Sequence, residues 1–375
     1  MDRGFEHLRP REMNYEAIAV ELIRALRGRR SRAEVSRRAG YRSNAVHRWE
    51  ARRSWPTAAR FLALHRALRP SARSWIERFF HARPSWAADL DPSSPEAVTA
   101  FLQQLKGKTP ILRIAEHAQR NRYSVARWLD GAAEPKLPEF LRLVDASSRR
   151  LIDLVAALED PAQLPSLRQH WTQIQLARTA AYDLPWSHAV LRALELESGP
   201  RGLAAQRAWI ARQLQISAED VQEALRVLEA TAQITKTRAG YRPRQIAAID
   251  TGHDPQRAHA LKVAWASTAL ERMKSGAPGR FGYSLFAIAR ADLARLHALH
   301  LQYVRAMQEV VASSAPSECV GLYCAQLLDL GGNDWADAAA RAGRTPARIS
   351  PAVDRARRTS APRALGRRGT RSGSS

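Results

Sequence analysis

The sequence predicts a mainly α protein built from several modules: a duplicated helical unit, a further helical module closed by a β-hairpin, a small α+β region and a basic tail. Three observations predict this. The first 160 residues are self-similar at an offset of 79. Through residue 231 the apolar residues recur at the three- and four-residue spacing of helices, punctuated by caps and turn residues. The length of 375 residues, at about 150 per domain, implies two or three domains.

The duplication organises the first part of the chain. Placing Trp49 on Trp128 aligns Leu26 with Leu105, Gly28 with Gly107, Ala39 with Ala118, Val46 with Val125, Arg48 with Arg127 and Pro56 with Pro135. Phe61, Leu62, Leu64 and Ala67 fall on Phe140, Leu141, Leu143 and Ala146, which makes 11 identities over 42 positions without a gap. The shared positions are apolar or turn-forming, as a common core requires.

Within the first copy, Glu16–Arg27 carries Ile18, Leu22, Ile23 and Leu26 on one helical face. Ser31 to Glu34 has the form of a capping box, in which hydroxyl and carboxylate close the first turn of a second helix. That helix runs to Ala39, and Gly40 ends it. Ser43–Arg52 forms the third helix, with Val46 and Trp49 facing inward, and Ala58–Leu68 the fourth after Pro56. Two helices joined by a short turn containing glycine make a helix-turn-helix.

The stretch RSRAEVSRRAGYRSNAVHRWEARRSWP resembles the phage-repressor family of helix-turn-helix proteins, the Cro/cI-like or xenobiotic-response-element type. The resemblance covers about residues 15–70 and rests on the capping box, Gly40, Val46, Arg48-Trp49-Glu50 and Pro56. The second copy, about 100–158, departs from it: Gln119 stands at the turn glycine and Leu129 at the glutamate after the tryptophan.

Further on, Arg207–Ile216, Ala218–Thr231 and ITKTRAGYRP have the order helix, turn, helix, hairpin, with Ala239-Gly240 at the tip. This order resembles a winged helix. A helical stretch from His259 to Met273, a strand-like FGYSLFAI at 281–288, a helix from Asp292 to about Ser313 and a strand-like Val320–Leu330 follow. That β-α-β order after a winged helix resembles an uncharacterised C-terminal domain of predicted bacterial regulators, over about 185–331, and implies no ligand. The expected fold is therefore mainly α, with tandem helix-turn-helix domains at 14–83 and 96–160, a winged-helix module at 185–245 and a small α+β C-terminal domain at 255–331. Residues 341–375 hold ten arginines against Asp354 alone, so 333–375 reads as a basic disordered tail.

Charge indicates the partner. Lys plus Arg number 59 against 36 Asp plus Glu, for a net charge of +23. Fifty-three of the 59 are arginine, whose planar fork suits phosphate. Residues 21–82 carry 16 arginines against Glu21, Glu34, Glu50 and Glu77, a balance of +12, while 100–161 has ten basic and eight acidic residues, a balance of +2. Phosphate contacts dominate non-specific affinity for double-stranded DNA, so the first copy is the expected reader.

The family resemblance implies that the third helix enters the major groove. It makes Ser43, Asn44, His47 and Arg48 the candidate base readers, since Asn pairs with adenine and Arg with guanine. Arg32, Arg42, Arg52 and Arg53 are the candidate phosphate ligands. In the second copy Arg120, Asn121, Arg122 and Arg127 would add secondary contacts. Two copies in one chain could read two half-sites about one helical turn apart. Trp49 and Trp128, three residues after Val46 and Val125, belong to the core. The would-be recognition helix of the winged module opens Ala218-Glu219-Asp220-Val221-Gln222-Glu223, whose carboxylates repel phosphate. A protein-contact or dimerisation role fits it better.

No catalytic constellation is evident, and the expectation is of no enzyme and no cofactor. His297 and His300 share a helical face with Asp292 but lack a completing ligand for zinc. Cys319 and Cys324 are too few for a disulfide framework. Gly279-Arg280-Phe281-Gly282 lacks the Lys-Ser/Thr of a phosphate loop. No apolar run approaches membrane length and the start has no secretory signal, so a cytoplasmic protein is expected. The favoured function is that of a sequence-specific transcriptional regulator whose C-terminal half dimerises or senses a signal. The alternative is an interaction scaffold whose helical copies bind protein.

Overall fold

The computed structural model describes residues 13–70, 74–81, 83–244 and 249–331. Two units divide the chain. The larger runs to Phe281 and includes Met307–Cys324; the smaller comprises Gly282–Ala306 and residues from Ala325. The described part is mainly helical, with two short strands. The basic tail expected at 333–375 lies outside the described residues.

The duplication appears helix for helix. The first copy holds α1 (Tyr15–Arg27), α2 (Arg32–Arg38), α3 (Ala45–Glu50), α4 (Ala58–Leu68) and α5 (Trp75–Phe80). The second holds α6 (Pro95–Lys106), α7 (Ile111–Ala118), α8 (Arg122–Leu129), α9 (Leu137–Ser148) and α10 (Leu151–Leu158). Local chemistry sets the starts. Asn14, Ser31, Asn44 and Thr57 each accept a backbone N–H of the first turn of α1 to α4, and Ser94 and Asn121 do so for α6 and α8. The capping box at Ser31 is completed differently from expectation, because the Glu34 carboxylate pairs with Arg38 at 3.1 Å. Gln119 takes the left-handed conformation at φ 50°, where the first copy has Gly40 at φ 79°, so the turn survives the loss of its glycine. Helix α3 is shorter than the expected Ser43–Arg52, because Asn44 serves as its cap and Arg52 leaves it at φ 59°.

The two copies share one hydrophobic core, in which Ile18, Val46, Trp49, Phe61 and Phe79 join Phe101, Ile114, Val125, Leu129 and Phe140. Trp49 is buried, with Tyr41 edge-on at 5.5 Å between ring centroids. Trp128 is half-buried against the same core.

The copies meet in a symmetric way. Thr57 and Lys136, equivalent positions 79 apart, form an antiparallel bridge. The Ala58 N–H donates to the Pro135 carbonyl at 2.9 Å, and the Leu137 N–H donates to the Pro56 carbonyl at 2.9 Å. Each bond maps onto the other when the copies are exchanged. The helix contacts obey the same rule: α5 packs on its equivalent α10 and α4 on its equivalent α9, while α1 packs on α9 and α6 on α4. Contacts in which residue i meets j and j meets i are the mark of a two-fold interface. Here both halves of that interface belong to one chain.

After α11 (Arg168–Asp183) comes a second core. It is formed by α12 (Pro185–Ala193), α13 (Leu203–Leu214), α14 (Ala218–Ala230) and the hairpin β1 (Ile234–Thr237) and β2 (Gly240–Pro243). The strands pair antiparallel with Thr237 opposite Gly240, which places the turn at Arg238-Ala239, one residue earlier than expected. Gly240 opens β2 at φ 132°, where a Cβ would clash with Gln206 Oε1. That close approach lets the Gln206 amide accept the Tyr241 N–H and tie the hairpin to α13.

Two helices complete the described chain, α15 (Pro255–Lys274) and α16 (Arg290–Ser313). The strand-like segments at 281–288 and 320–330 are not strands; both are coil without ladder partners among the described residues. Aromatic and β-branched composition fits a pleated, half-buried surface but cannot supply the pairing edge that defines a strand. Tyr283, Leu285 and Phe286 are instead exposed. The α+β character expected at 255–331 is thus corrected to helix and coil among the described residues.

Candidate nucleic-acid interface

The candidate residues of the first copy lie on α2 (Arg32), on α3 (His47 and Arg48) and in the turns on either side of α3 (Arg42, Ser43, Asn44, Arg52 and Arg53). Ser43, Asn44, His47 and Arg48 are all exposed, because Ala45, Val46, Trp49 and Glu50 take the inward face of α3. Ser43 Oγ accepts from Arg48 Nη2 at 3.2 Å, which holds that guanidinium over the start of the helix. Asn44 has a structural task as well: its Oδ1 accepts the His47 N–H at 3.2 Å, so what this exposed residue keeps for an outside partner is the donor NH2 of its amide. Arg42, Arg52 and Arg53 are exposed at the two flanking turns.

The fixed angle between α2 and α3 depends on Ser36 and Glu50, which sequence reasoning did not single out. Ser36 is buried; its Oγ donates to the Arg32 carbonyl at 2.7 Å and accepts the Val46 N–H at 3.1 Å. Glu50, 2% exposed at its side chain, receives Arg27 Nε and Arg32 Nε at 2.7 Å each. Burial alone would raise its pKa, but the two guanidiniums outweigh burial and hold it below its ordinary value. Arg32, expected on phosphate, is therefore anchored by Glu50 while its side chain stays 46% exposed. The available signal was a carboxylate four residues after Val46, on the apolar side of the helix.

The second copy keeps the geometry and changes the chemistry. Leu129 takes the place of Glu50 and Ile111 that of Arg32, so apolar side chains packed into the shared core stand where the carboxylate and one of its two guanidiniums would be. Arg120, expected as a secondary contact, is engaged internally: Nε and Nη2 donate to the two oxygens of Glu139 at 2.8 Å each. Asn121 caps α8 through the Tyr123 N–H at 2.8 Å. Arg122 and Arg127 are exposed. Between them stands Tyr123, 81% exposed, a residue that sequence reasoning missed.

A second polar cluster lies where the duplicated core meets α11 and the segment before α15. Arg178 donates to Asp153 at 2.5 Å with both side chains buried, and Arg150 bridges Asp153 and Asp250. His81 Nε2 lies 2.9 Å from Asp250. Burial raises the Asp153 pKa despite its two arginines. For Asp250 the effect of burial is overcome by the His81 hydrogen bond and the Arg150 charge, and its pKa falls. A cavity of about 320 Å³ opens beside these groups, lined among others by Arg78, Arg178 and His253.

Residues 168–327, from α11 to within the last coil, match the family described as Domain of unknown function (DUF4423). No curated protein and no solved structure matches the chain. Among the described residues no helix is long and apolar enough to cross a membrane.

Proposed function

We propose that this protein binds double-stranded DNA in a sequence-specific manner, as a transcriptional regulator, with α2 and α3 of the first copy acting as a helix-turn-helix. One observation carries the reading. The residues that the family resemblance makes candidate base readers, Ser43, Asn44, His47 and Arg48, are all exposed and are flanked by exposed Arg42, Arg52 and Arg53. The α2–α3 angle behind these residues is set by buried hydrogen bonds and by the Glu50 ion pairs. A rigid, basic, polar ridge suits a groove whose walls are phosphate and whose floor offers base acceptors.

The module of α12 to α14 with the hairpin has the order of a winged helix, but Glu219, Asp220 and Glu223 on α14 make it a poor match for phosphate. With the exposed apolar side chains of α15, among them Val263, Leu270 and Met273, it supports a protein-contact or dimerisation role for the C-terminal half. The test is titration of the full chain on random and selected duplexes over a range of salt. We expect affinity to fall by about 0.9 log units per log unit of salt for each phosphate neutralised. Binding indifferent to salt would refute the reading, and the scaffold alternative would then stand.

A further inference from the structure

We infer that the two copies read an inverted, unequal pair of half-sites as a dimer contained in one chain. The inference rests on the DNA reading above and adds the form of the target. Its basis is the two-fold relation between the copies, seen in the reciprocal Ala58–Pro135 and Leu137–Pro56 bonds about the Thr57–Lys136 bridge. The self-paired α4–α9 and α5–α10 contacts and the exchanged α1–α9 and α6–α4 contacts agree with it.

A two-fold rotation preserves height along its axis. Whatever side of the duplicated core α3 occupies, α8 occupies the same side, turned by half a revolution. Both outer faces are uncovered, with Ser43, Asn44, His47 and Arg48 exposed on one and Arg122, Tyr123 and Arg127 on the other. Helix α3 ends shortly before Thr57 and α8 shortly before Lys136, so both lie close in sequence to the residues on the axis. Duplex DNA has two-fold axes of its own, perpendicular to its length. A protein with this symmetry meets the two strands equivalently when the half-sites are inverted, whereas a direct repeat would require a translation the chain does not have.

The half-sites must differ, because the side chains do. At equivalent positions Ser43 faces Arg122, Asn44 faces Tyr123 and His47 faces Ala126; Arg48 and Arg127 alone agree among these four. Arginine pairs bidentately with guanine, so each half-site carries a guanine at the symmetry-related position. Beside it the first half-site offers an adenine to the Asn44 amide. The second offers a thymine methyl to Ala126 or the ring of Tyr123. Dyad-related DNA readers usually need two chains; here one suffices, and exposed Lys136 at the axis adds a charge between the halves.

The experiment is selection of the full chain on randomised duplexes, followed by measurement of chains bound per duplex and of Arg48→Ala and Arg127→Ala binding. Both arginines are exposed, and circular dichroism and melting confirm that the variants fold. We expect an inverted pair of unlike half-sites occupied by one chain. Arg48→Ala should lose roughly 5- to 150-fold on that site and erase preference in one half, and Arg127→Ala should erase it in the other. An enriched single half-site, a direct repeat, or an inverted site holding two chains with Arg127→Ala silent would overturn the inference and leave the DNA reading in place. The absence of any enriched sequence would overturn both.

Discussion

At equivalent points of the two copies, the residue after the tryptophan is Glu50 in one and Leu129 in the other, and both are buried. Around Glu50 stand Arg27 and Arg32; around Leu129 the same positions hold Lys106 and Ile111. The backbone accommodates either solution: α2 with α3 and α7 with α8 pack alike. A buried ion-pair cluster is no more stable than a well-packed apolar contact and is often less so. Its presence in the first copy is thus not required for folding. What the cluster does is hold Arg32 by its Nε beside the exposed ridge, and the copy that has it also has the +12 charge balance. The copy that replaced it has a balance of +2 and ties Arg120 to its own Glu139. The difference teaches that the first copy is built around the placement of cations and the second around packing.

Binding offers the sharpest way to break this comparison. Arg42→Glu with Arg48→Glu should abolish DNA binding, because attraction becomes repulsion at the ridge. The equivalent pair, Asn121→Glu with Arg127→Glu, should lower affinity by a smaller factor through loss of the second half-site. Titrations in which the second pair abolishes binding and the first is silent would reverse the assignment.

Exchanging the buried residues tests the packing side. Leu129→Glu buries a carboxylate with no guanidinium to receive it and should cost about 3–5 kcal/mol in urea unfolding. Glu50→Leu should cost about 1 kcal/mol or less, since Arg27 and Arg32 are partly exposed and can turn to water. It should still weaken DNA binding, because Arg32 loses its anchor. Equal destabilisation by the two changes would deny that the copies solve the same position differently.

Asn44 separates folding from reading within one residue. Asn44→Ala should lose about 1 kcal/mol of stability with the cap. Asn44→Ser should restore stability without restoring preference at the base facing position 44. If serine recovers both, the amide reads nothing.

The smallest effect is in pH. Glu50 is held below its ordinary pKa of 4.5 in the folded chain, so its contribution is fully present above that value and is lost as pH falls through the lowered one. The stability gap between the wild type and Glu50→Gln should therefore be widest near neutrality and close in acid. Leu129→Ala, which removes no titrating group, should give a gap of the same size throughout.

Much of the first copy was legible because its signals are local. A cap acts on the residue three places on, and apolar spacing reports one face of one helix. These fixed α1, α2 and α4 to within a residue, and the offset of 79 carried them to the second copy. Glu50 was not legible as a buried ion-pair partner, since its guanidiniums come from 18 and 23 residues away. Tyr123 escaped because an exposed aromatic in a short helix looks like a core residue until the face it occupies is known.

Composition, duplication, charge asymmetry and the mainly helical character came from the sequence by itself, because each is a sum or a short-range pattern. Tertiary structure alone decided that the two copies share one core, and that they meet about a two-fold axis at Thr57 and Lys136. It also decided that FGYSLFAI remains coil. The physical reason is common to all three. A strand needs a partner edge and an interface needs a facing surface, and neither is a property of the segment that takes part in it.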